Sequence, residues 1–351
     1  MTAPNGPVLF NSSTGSDTAA SGLGPATALS GAGASTTSAS AVVTGITTTG
    51  VTVGDLLWVQ SSSGRQFSIV ASVDSGTQVT CDDVFANTES SRTWAIGGVR
   101  QYVFTSSSRL LMGQGSGDGD AKGGMAVEMQ SGHQETITSG NNYLHVDKTS
   151  EGHFEFRGEQ YASVKPKLTL TGGGNQFLVY GNQLRLKDFD ADWNGAGQSN
   201  DAFFYMQAGS IADGITARET GSFHIGSIFL LQGSNGTVKN CTAKGKRPIR
   251  LNGANNICRN SMLQCTDATS SAVTMGGDGG MIDSCIITSS DGGGINASAY
   301  GWNGFRGFYV KRTIINGCQS YGLLMGSTVT LNSTPELTSC IFANINGLGI
   351  D

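Results

Sequence analysis

Three aspartates at alternate positions are candidates for metal binding, carbohydrate contact or acid–base catalysis. The segment DFDADWNG contains Asp188, Asp190 and Asp192. Carboxylates in this pattern occur in calcium loops, but Trp193 stands where such a loop requires glycine, and Ser199 where it requires a bidentate glutamate. The pattern therefore fails the test for a calcium loop, and we expect neither a metal site nor a cofactor in this chain.

The outward face of this segment allows three interpretations. In an extended strand Asp190 and Asp192 lie on the same face. They form a solvated surface, contact a carbohydrate or calcium ion together with Trp193, or act as paired catalytic carboxylates. Glycoside hydrolysis requires two carboxyl groups about 5–9.5 Å apart. Because any outward pair at i and i+2 meets that distance, the spacing assigns no catalytic residue.

An aromatic segment, SAYGWNGFRGFYV, is a second candidate for carbohydrate contact. Tyr300 and Trp302 lie in what the pattern predicts to be a long insertion between strands. Their rings could stack on sugar rings, or they could pack against a neighbouring chain or coil. Both interpretations remain open from the sequence.

The elements that carry these residues repeat along the chain. The first inward position of each repeat follows the previous one after 20 to 28 residues, at Phe189, Ile215, Cys241, Ser261, Cys285, Thr313 and Cys340. Within each repeat the apolar residues alternate with a period of two over short runs, which indicates strands. Asn, Gly and Ser occupy the breaks. A repeat of this length holds about three strands and three turns, which is one coil of a parallel β-helix.

The residue after each first inward position is predicted to point outward. These outward residues are Asp190, Thr216, Thr242, Met262, Ile286, Ile314 and Ile341. The series changes from polar to apolar along the chain. Soluble monomers rarely expose such a patch, so Met262, Ile286, Ile314 and Ile341 are predicted to form a homotrimer interface. A dimer, or a bulge that turns the isoleucines inward, is the alternative.

The chain divides into three predicted regions. Residues 1–40 are rich in Ser, Thr, Ala and Gly and are expected to form an extended arm that needs a partner to become ordered. Residues 41–100 alternate β-branched residues with Gly, Ser and Asp turns, which predicts a small antiparallel β-module used for attachment. Residues 101–351 are predicted to form the parallel β-helix. The fold class is therefore all-β.

Composition narrows the possible functions. Glycine accounts for 52 of 351 residues and only 13% of residues are charged, as a turn-rich solenoid requires. A net charge of −5 argues against a nucleic-acid partner. The sequence contains no run of 18 apolar residues, so membrane insertion is not expected. The N-terminus has no pattern of a secretory signal. Seven cysteines without a CxxC motif are interpreted as buried thiols of a chain made in a reducing cytoplasm, and disulfides between coils are the alternative.

The repeated segments VKNCTAKG, IDSCIITSSDGGGI and KRTIINGCQSYGLLM resemble the pectate-lyase-like right-handed parallel β-helix superfamily. The segment TWAIGGVR, which leads into MAVEMQSGHQETITSG, is similar to the start of β-helices in tailed-bacteriophage virion proteins. The resemblance covers roughly residues 95–351 and implies a right-handed parallel β-helix. It implies little about activity, because this architecture carries lyases, hydrolases, epimerases, tailspikes and inert decorations.

The active-site motifs of the family can be compared with the sequence. Polygalacturonase-like enzymes carry N-x-D, D-D and G-H-G motifs on successive coils. In this chain Asp82 and Asp83 form the only Asp-Asp pair, which lies before the predicted helix, and His224 lies in SFHIGS. The sequence therefore leans against an enzyme without deciding the question.

Three functions remain. The first is a bacteriophage virion structural protein, such as a spike, fibre or capsid decoration. It would be assembled in the host cytoplasm and attached to other virion proteins through its N-terminal region, and it could also contact host surface glycans. The second is a polysaccharide-degrading β-helix enzyme, for example a depolymerase tailspike. The third is a carbohydrate-binding adhesin without catalysis.

Overall fold

The computed structural model describes residues 8–11, 27–62, 64–98, 113–114, 126–137, 143–145, 153–171, 177–194, 202–221, 226–289, 292–297, 307–325 and 336–350. Within these ranges the chain forms β-strands and turns, so the predicted all-β class is confirmed. Tyr300 and Trp302 lie outside the described residues. No helix in the described ranges is long and apolar enough to cross a membrane.

A short strand, β1 (Val8–Asn11), precedes a closed barrel of six antiparallel strands. The barrel strands are β2 (Leu29–Thr36), β3 (Val42–Thr44), β4 (Leu56–Ser61), β5 (Gly64–Ser75), β6 (Gln78–Cys81) and β7 (Glu89–Ile96). They close in the order β2-β3-β6-β5-β4-β7. Alternating apolar residues such as Leu57, Val59 and Val79 fill the interior. This barrel is the small antiparallel module that the sequence predicts.

Part of the stretch predicted as an extended arm belongs to these sheets. Strand β2 is a member of the barrel, and β1 pairs in parallel with residues 126–129 at the edge of the solenoid. Strand β2 has few large side chains because it lies against Trp94. A Cβ added to Gly31 would lie 3.1 Å from the indole Nε1. Small residues here make room for a large neighbour, so their composition resembles that of a linker.

The remaining strands build a parallel solenoid in which each of three sheets takes every third strand. The first sheet contains β1, β9 (Ala126–Met129), β12 (Phe154–Gly158), β15 (Leu184–Lys187), β18 (Ile211–Asp213), β21 (Thr237–Lys239), β24 (Ile257–Arg259), β27 (Gly280–Asp283), β30 (Phe308–Lys311) and β33 (Glu336–Thr338). The second sheet contains β10 (Gln134–Ile137), β13 (Lys167–Leu170), β16 (Asp190–Trp193), β19 (Thr216–Glu219), β22 (Thr242–Gly245), β25 (Met262–Cys265), β28 (Ile286–Ser289), β31 (Ile314–Asn316) and β34 (Ile341–Ala343).

The third sheet completes each coil. It contains β8 (Gly113–Gln114), β11 (Tyr143–His145), β14 (Phe177–Gly181), β17 (Ala202–Met206), β20 (Ser227–Leu231), β23 (Ile249–Leu251), β26 (Ser271–Met275), β29 (Gly293–Asn296), β32 (Tyr321–Leu324) and β35 (Leu348–Ile350). Only β8 runs antiparallel to its neighbour in this sheet, among the strands described. The predicted parallel β-helix is therefore confirmed.

A left-handed residue turns the chain from the first sheet into the second. Asn240, Asn260 and Ser284 occupy this position in successive coils, with φ angles of 54°, 49° and 54°. Each donates its backbone N–H to a carbonyl oxygen of the next coil, at 2.9–3.2 Å. Asn tolerates this conformation better than most residues, which explains why the repeats contain Asn at their breaks.

Stacked apolar side chains form the core of the solenoid. On the second sheet Ala243, Leu263, Ile287 and Ile315 lie side by side in register and are fully buried. The predicted first inward residues are also buried, except that Cys340 is half-buried. Leu56 of the barrel belongs to the solenoid core. The barrel therefore packs on the solenoid through at least this apolar contact.

Candidate interaction surface on the second sheet

The outer face of the second sheet carries a group of four charged residues at its N-terminal half. Lys167, Asp190, Asp192 and Arg218, called the charged cluster below, lie on the adjacent strands β13, β16 and β19. The parallel register places Lys167 beside Asp190 and Asp192 beside Arg218. The fold therefore brings together the predicted acidic pair and two cations that the sequence analysis did not connect with it.

Asp192 is the centre of the charged cluster. Its Oδ2 lies 2.6 Å from Lys167 Nζ, and its Oδ1 lies 3.7 Å from Arg218 Nε. The Asp192 side chain is 12% exposed, whereas those of Lys167 and Arg218 are 38% and 48% exposed. The two long cations therefore extend over the carboxylate and present their own donors to solvent. These contacts make Asp192 part of an ion-pair group rather than a free carboxylate.

Asp190 differs from Asp192 in its partners. Its Oδ1 is buried and makes no hydrogen bond within the described part of the chain. Asp190 is half-buried on the strand next to Lys167. A carboxylate oxygen in such a position accepts a hydrogen bond readily if a small side-chain rotation exposes it. Asp192 Oδ1 is likewise buried without a hydrogen bond within the described residues, 3.7 Å from Arg218 Nε, so each of the two aspartates keeps one oxygen with spare acceptor capacity.

Trp193 does not take part in this surface. The side chain is fully buried in the solenoid core, and its ring packs edge-to-face on Phe203 with centroids 5.9 Å apart. The reason is the period of the strand, since Asp190 and Asp192 point outward and the alternate residues Ala191 and Trp193 point inward. The buried indole cannot stack on a sugar, so its assignment as a carbohydrate contact is corrected here.

The C-terminal half of the same face is apolar. Met262, Ile286, Ile314 and Ile341, called the apolar row below, are register partners on the consecutive strands β25, β28, β31 and β34. They are 48%, 42%, 38% and 56% exposed. The structure contains no bulge at these positions, so all four side chains point outward as the sequence register predicts.

A polar row runs beside the apolar row. Gln264, Thr288 and Asn316 occupy the next outward positions of β25, β28 and β31 and are half-buried. The inward neighbours Ile287 and Ile315 are fully buried. The apolar row is therefore a narrow stripe on an otherwise polar face. It is not an exposed piece of the core.

The outer face of the first sheet carries a charged row beside a row that includes the outward residues Ile257, Met281 and Tyr309. Charged residues on neighbouring coils pair with each other, for example Asp213 with Lys239 at 2.8 Å and Lys311 with Glu336 at 3.2 Å. Burial raises the pKa of Asp213, but hydrogen bonds from Lys239 and from the side-chain amide of Asn240 outweigh it and leave this pKa below its usual value. Charges on this face satisfy one another, whereas the apolar row has no such partner within the described residues.

One buried polar pair was missed by the sequence reasoning. His133 and Glu135 lie at the start of the second sheet, and their side chains are nearly inaccessible, with His133 Nε2 3.3 Å from Glu135 Oε2. Glu135 occupies an inward position in register with Leu168. In β10 the residues Gln134 and Thr136 are exposed, and the alternation of the strand then places Glu135 and Ile137 inward. This alternation could have indicated an inward glutamate from the sequence. Within the described residues, no cluster of three or more His, Cys, Asp or Glu side chains could hold a metal ion.

No protein-family model and no curated protein matches the sequence. Solved structures with a similar fold include a rhamnogalacturonan lyase, with 14% identity, a TM-score of 0.43, and coverage of 57% of this chain and 62% of the lyase. A second is a tailspike of the Acinetobacter baumannii bacteriophage AP22, in complex with A. baumannii capsular saccharide, with 11% identity, a TM-score of 0.30, and coverage of 98% and 60%. A third is a tailspike of Pseudomonas phage LKA1, with 12% identity, a TM-score of 0.26, and coverage of 93% and 64%. The chain spans less than two thirds of these solved chains, and the likeness concerns the fold alone.

Proposed function

We propose that this protein is a structural β-solenoid subunit of a bacteriophage virion, a spike, fibre or capsid decoration, that associates with copies of itself through the second sheet. The observation that carries the proposal is the apolar row. It aligns four large, exposed side chains along the solenoid axis. A stripe with this direction lets rod-shaped subunits lie side by side over several coils.

The energetics of the apolar row favour association. Fully burying one such side chain is worth about 1.5–3 kcal/mol. Because the four are about half exposed, covering them contributes roughly 3–6 kcal/mol per copy before the cost of association. The flanking amides and hydroxyls of Gln264, Thr288 and Asn316 supply hydrogen-bonding groups at the rim of the stripe. We favour a homotrimer, because three copies enclose a stripe of this kind along a common axis.

The association is tested by replacing the two central residues of the apolar row with Ile286→Glu and Ile314→Glu and measuring molar mass by light scattering. We expect the wild type to be a trimer and the double variant to be a monomer. The matched control is Thr237→Glu, which adds a charge to the outer face of the first sheet and leaves the second sheet intact. A wild-type monomer, or a double variant with unchanged mass, contradicts the proposal.

We also propose that attachment to other virion proteins uses the N-terminal region. The six-stranded barrel has its own apolar core, so it can serve as a mounting module at one end of the solenoid. The residues upstream of β2 are rich in Ser, Thr, Ala and Gly. This composition suits binding along a partner's surface in an extended form.

The attachment is tested by deleting residues 2–26, which spares every barrel strand. Incorporation into particles should fall strongly, whereas deletion of residues 2–7 alone leaves β1 in place and should have a smaller effect. Thermal unfolding of each purified variant shows whether the fold is retained. Normal incorporation of a folded variant lacking residues 2–26 contradicts this part of the proposal.

The charged cluster supports a further part of the proposal, contact with host surface glycans. Lys167 and Arg218 present exposed donors beside Asp190 and Asp192, and sugar hydroxyl groups need both donors and acceptors. A glycan array should show binding that Asp190→Asn combined with Arg218→Ala removes. Equal binding by the variant contradicts the assignment, and release of reducing ends from a host polysaccharide would favour the enzymatic alternative.

A further inference from the structure

Two cysteines of adjacent coils face each other inside the solenoid. The Sγ atoms of Cys258 and Cys285 are 3.9 Å apart. Cys258 is 0% exposed and Cys285 is 1% exposed. Both sulfurs are present as free thiols, in the buried positions that the sequence predicts for small apolar residues.

The fold places this pair with little freedom. Cys258 is an inward residue of β24 in the first sheet, whose register partner on the next coil is Ile282. Cys285 follows β27 by one turn residue, Ser284, and points inward at the corner between the first and second sheets. The two thiols therefore approach each other across one coil boundary. A disulfide has an S–S distance of about 2.05 Å, so rotation of both side chains must close a gap of roughly 1.9 Å.

The two thiols are chemically different. The hydrogen bond between them holds the pKa of Cys258 well above its usual value, and burial adds to this effect. The same bond lowers the pKa of Cys285, because it stabilises the Cys285 thiolate. Because the two sulfurs are only 3.9 Å apart, the thiol that reacts first with an oxidant has the other thiol in position for a second step.

We propose that Cys258 and Cys285 form an oxidative modification site, at which a small hydroperoxide joins the two coils through a disulfide. The Cys285 thiolate attacks one peroxide oxygen, the O–O bond breaks, and hydroxide leaves, which produces a sulfenic acid. The Cys258 sulfur then attacks the Cys285 sulfur, the S–O bond breaks, and the oxygen leaves as water. In total two thiols and one hydrogen peroxide become one disulfide and two waters.

Hydrogen peroxide is the fitting oxidant because the site is buried. A bulky disulfide reagent would have to leave its own substituent inside the core in a mixed disulfide, whereas peroxide is about the size of two water molecules. The chain keeps the thiols in a reducing compartment and becomes cross-linked after exposure to an oxidising one. This inference rests on the sulfur geometry and is independent of the proposed virion function.

The experiment treats the folded, full-length protein with hydrogen peroxide, blocks the remaining thiols after denaturation, and maps peptides by mass spectrometry without reduction. We expect a cross-linked peptide pair containing Cys258 and Cys285, two hydrogens lighter than the sum of its parts. The midpoint of thermal unfolding should rise by about 5 °C, since the bond closes a loop of about 27 residues. Dithiothreitol should reverse the rise.

Two variants keep the test specific. Cys258→Ser should lose the cross-link and the rise in midpoint, whereas Cys241→Ser, which alters a neighbouring buried thiol, should keep both. If a variant does not fold, the peptide map of the wild type still decides the question. Free or over-oxidised Cys258 and Cys285 after a treatment that oxidises the exposed methionine Met262, or a cross-link between other cysteines, would overturn the proposal.

Discussion

The inner and outer faces of the second sheet both carry large apolar side chains, but these side chains are buried on the inner face and exposed on the outer face. Ile286 and Ile287 are adjacent on β28, yet Ile286 is 42% exposed and Ile287 is fully buried. The inner residue packs on Leu263 and Ile315 in register, and the outer one packs on Met262 and Ile314 in the apolar row. An apolar ladder inside therefore stabilises the coil, while a similar apolar ladder outside is exposed. Side-chain type alone does not distinguish the two, but the period of two does.

The largest expected difference between the two faces is in stability. Ile287→Ala should lower the free energy of unfolding by about 2–5 kcal/mol, because it leaves a cavity between buried neighbours. Ile286→Ala should change it by less than about 0.5 kcal/mol at protein concentrations where the chain is monomeric. Urea unfolding monitored by far-UV circular dichroism gives both values. Equal losses for the two variants would contradict the assignment of inner and outer faces.

The two variants should differ in the opposite sense in their self-association, which Ile286→Ala should weaken and Ile287→Ala should retain. At higher protein concentration Ile286→Ala should weaken self-association and thereby lose the stabilisation that binding provides by mass action. Ile287→Ala should associate normally as far as it remains folded. Unfolding midpoints measured over a series of protein concentrations separate the two effects, since only the wild type and Ile287→Ala should show a concentration-dependent midpoint. A midpoint of the wild type that is independent of concentration would argue against the interface.

The barrel provides a contrast to both faces, because a buried charge helps to hold it together. Glu89 accepts hydrogen bonds from the Ser62 backbone N–H at 2.8 Å, from the Ser62 and Ser61 hydroxyls, and from Arg92 Nε at 2.7 Å. The Ser62 backbone contact is the largest cause that lowers the pKa of Glu89 to about 2 from 4.5. This network fixes the hairpin between β4 and β5 to the start of β7.

Acid should therefore weaken the barrel through Glu89. A group whose pKa is lower in the folded state contributes stability that is complete above its unfolded pKa and is lost as pH falls toward its folded pKa. The contribution of Glu89 should be constant above about pH 5 and decline from about pH 4.5 to pH 2. Glu89→Gln should be less stable than the wild type at pH 7, and the difference should shrink as pH falls through that window. A difference that grows with acidity would contradict the direction of the shift.

Much of the solenoid could be predicted from the sequence because its coils repeat. The period of two predicted the inward ladder through Cys241 and Cys285 and the outward apolar row. The same period, continued two residues beyond Ala191, places Trp193 inward, whereas the sequence analysis assigned Trp193 to a carbohydrate contact. At Trp193 the inward–outward alternation along the strand was a better guide to side-chain direction than the residue type, because the alternation follows from the geometry of the whole sheet.

The parts that could not be predicted depend on pairing between distant segments. Nothing local in residues 8–11 indicates that they pair with residues 126–129, because the partner strand lies on the far side of the barrel in the chain. The placement of Lys167 and Arg218 around Asp192 likewise requires the register between coils, which sequence spacing defines only approximately. Coil lengths that vary from 20 to 28 residues make such neighbours uncertain until the register is known.

Thiol reactivity tests how burial varies along the inner ladder, from Cys241 to Cys340. Burial is the main cause that raises the pKa of Cys241 to about 12 from 9.0. At pH 8 its thiolate fraction is therefore roughly a thousandfold smaller than that of an unshifted thiol. Iodoacetamide should modify the half-buried Cys340 first and leave Cys241 unmodified until the protein unfolds. Peptide mapping over time gives the order, and early modification of Cys241 would place that residue outside the core.

The smallest expected effect concerns the outer face at its charged end. Lys167→Met removes the ion pair at 2.6 Å from Asp192, but Lys167 is 38% exposed and Arg218 still lies beside the same carboxylate. Exposed pairs are worth about 0.2–1 kcal/mol, so stability should fall by no more than that amount. The loss should shrink in 1 M NaCl, where charges are screened beyond about 3 Å. Arg218→Met, whose guanidinium is farther from Asp192, is the matched control and should cost less. A loss above about 2 kcal/mol for Lys167→Met would mean that the charged cluster supports the coil as the inner ladder does.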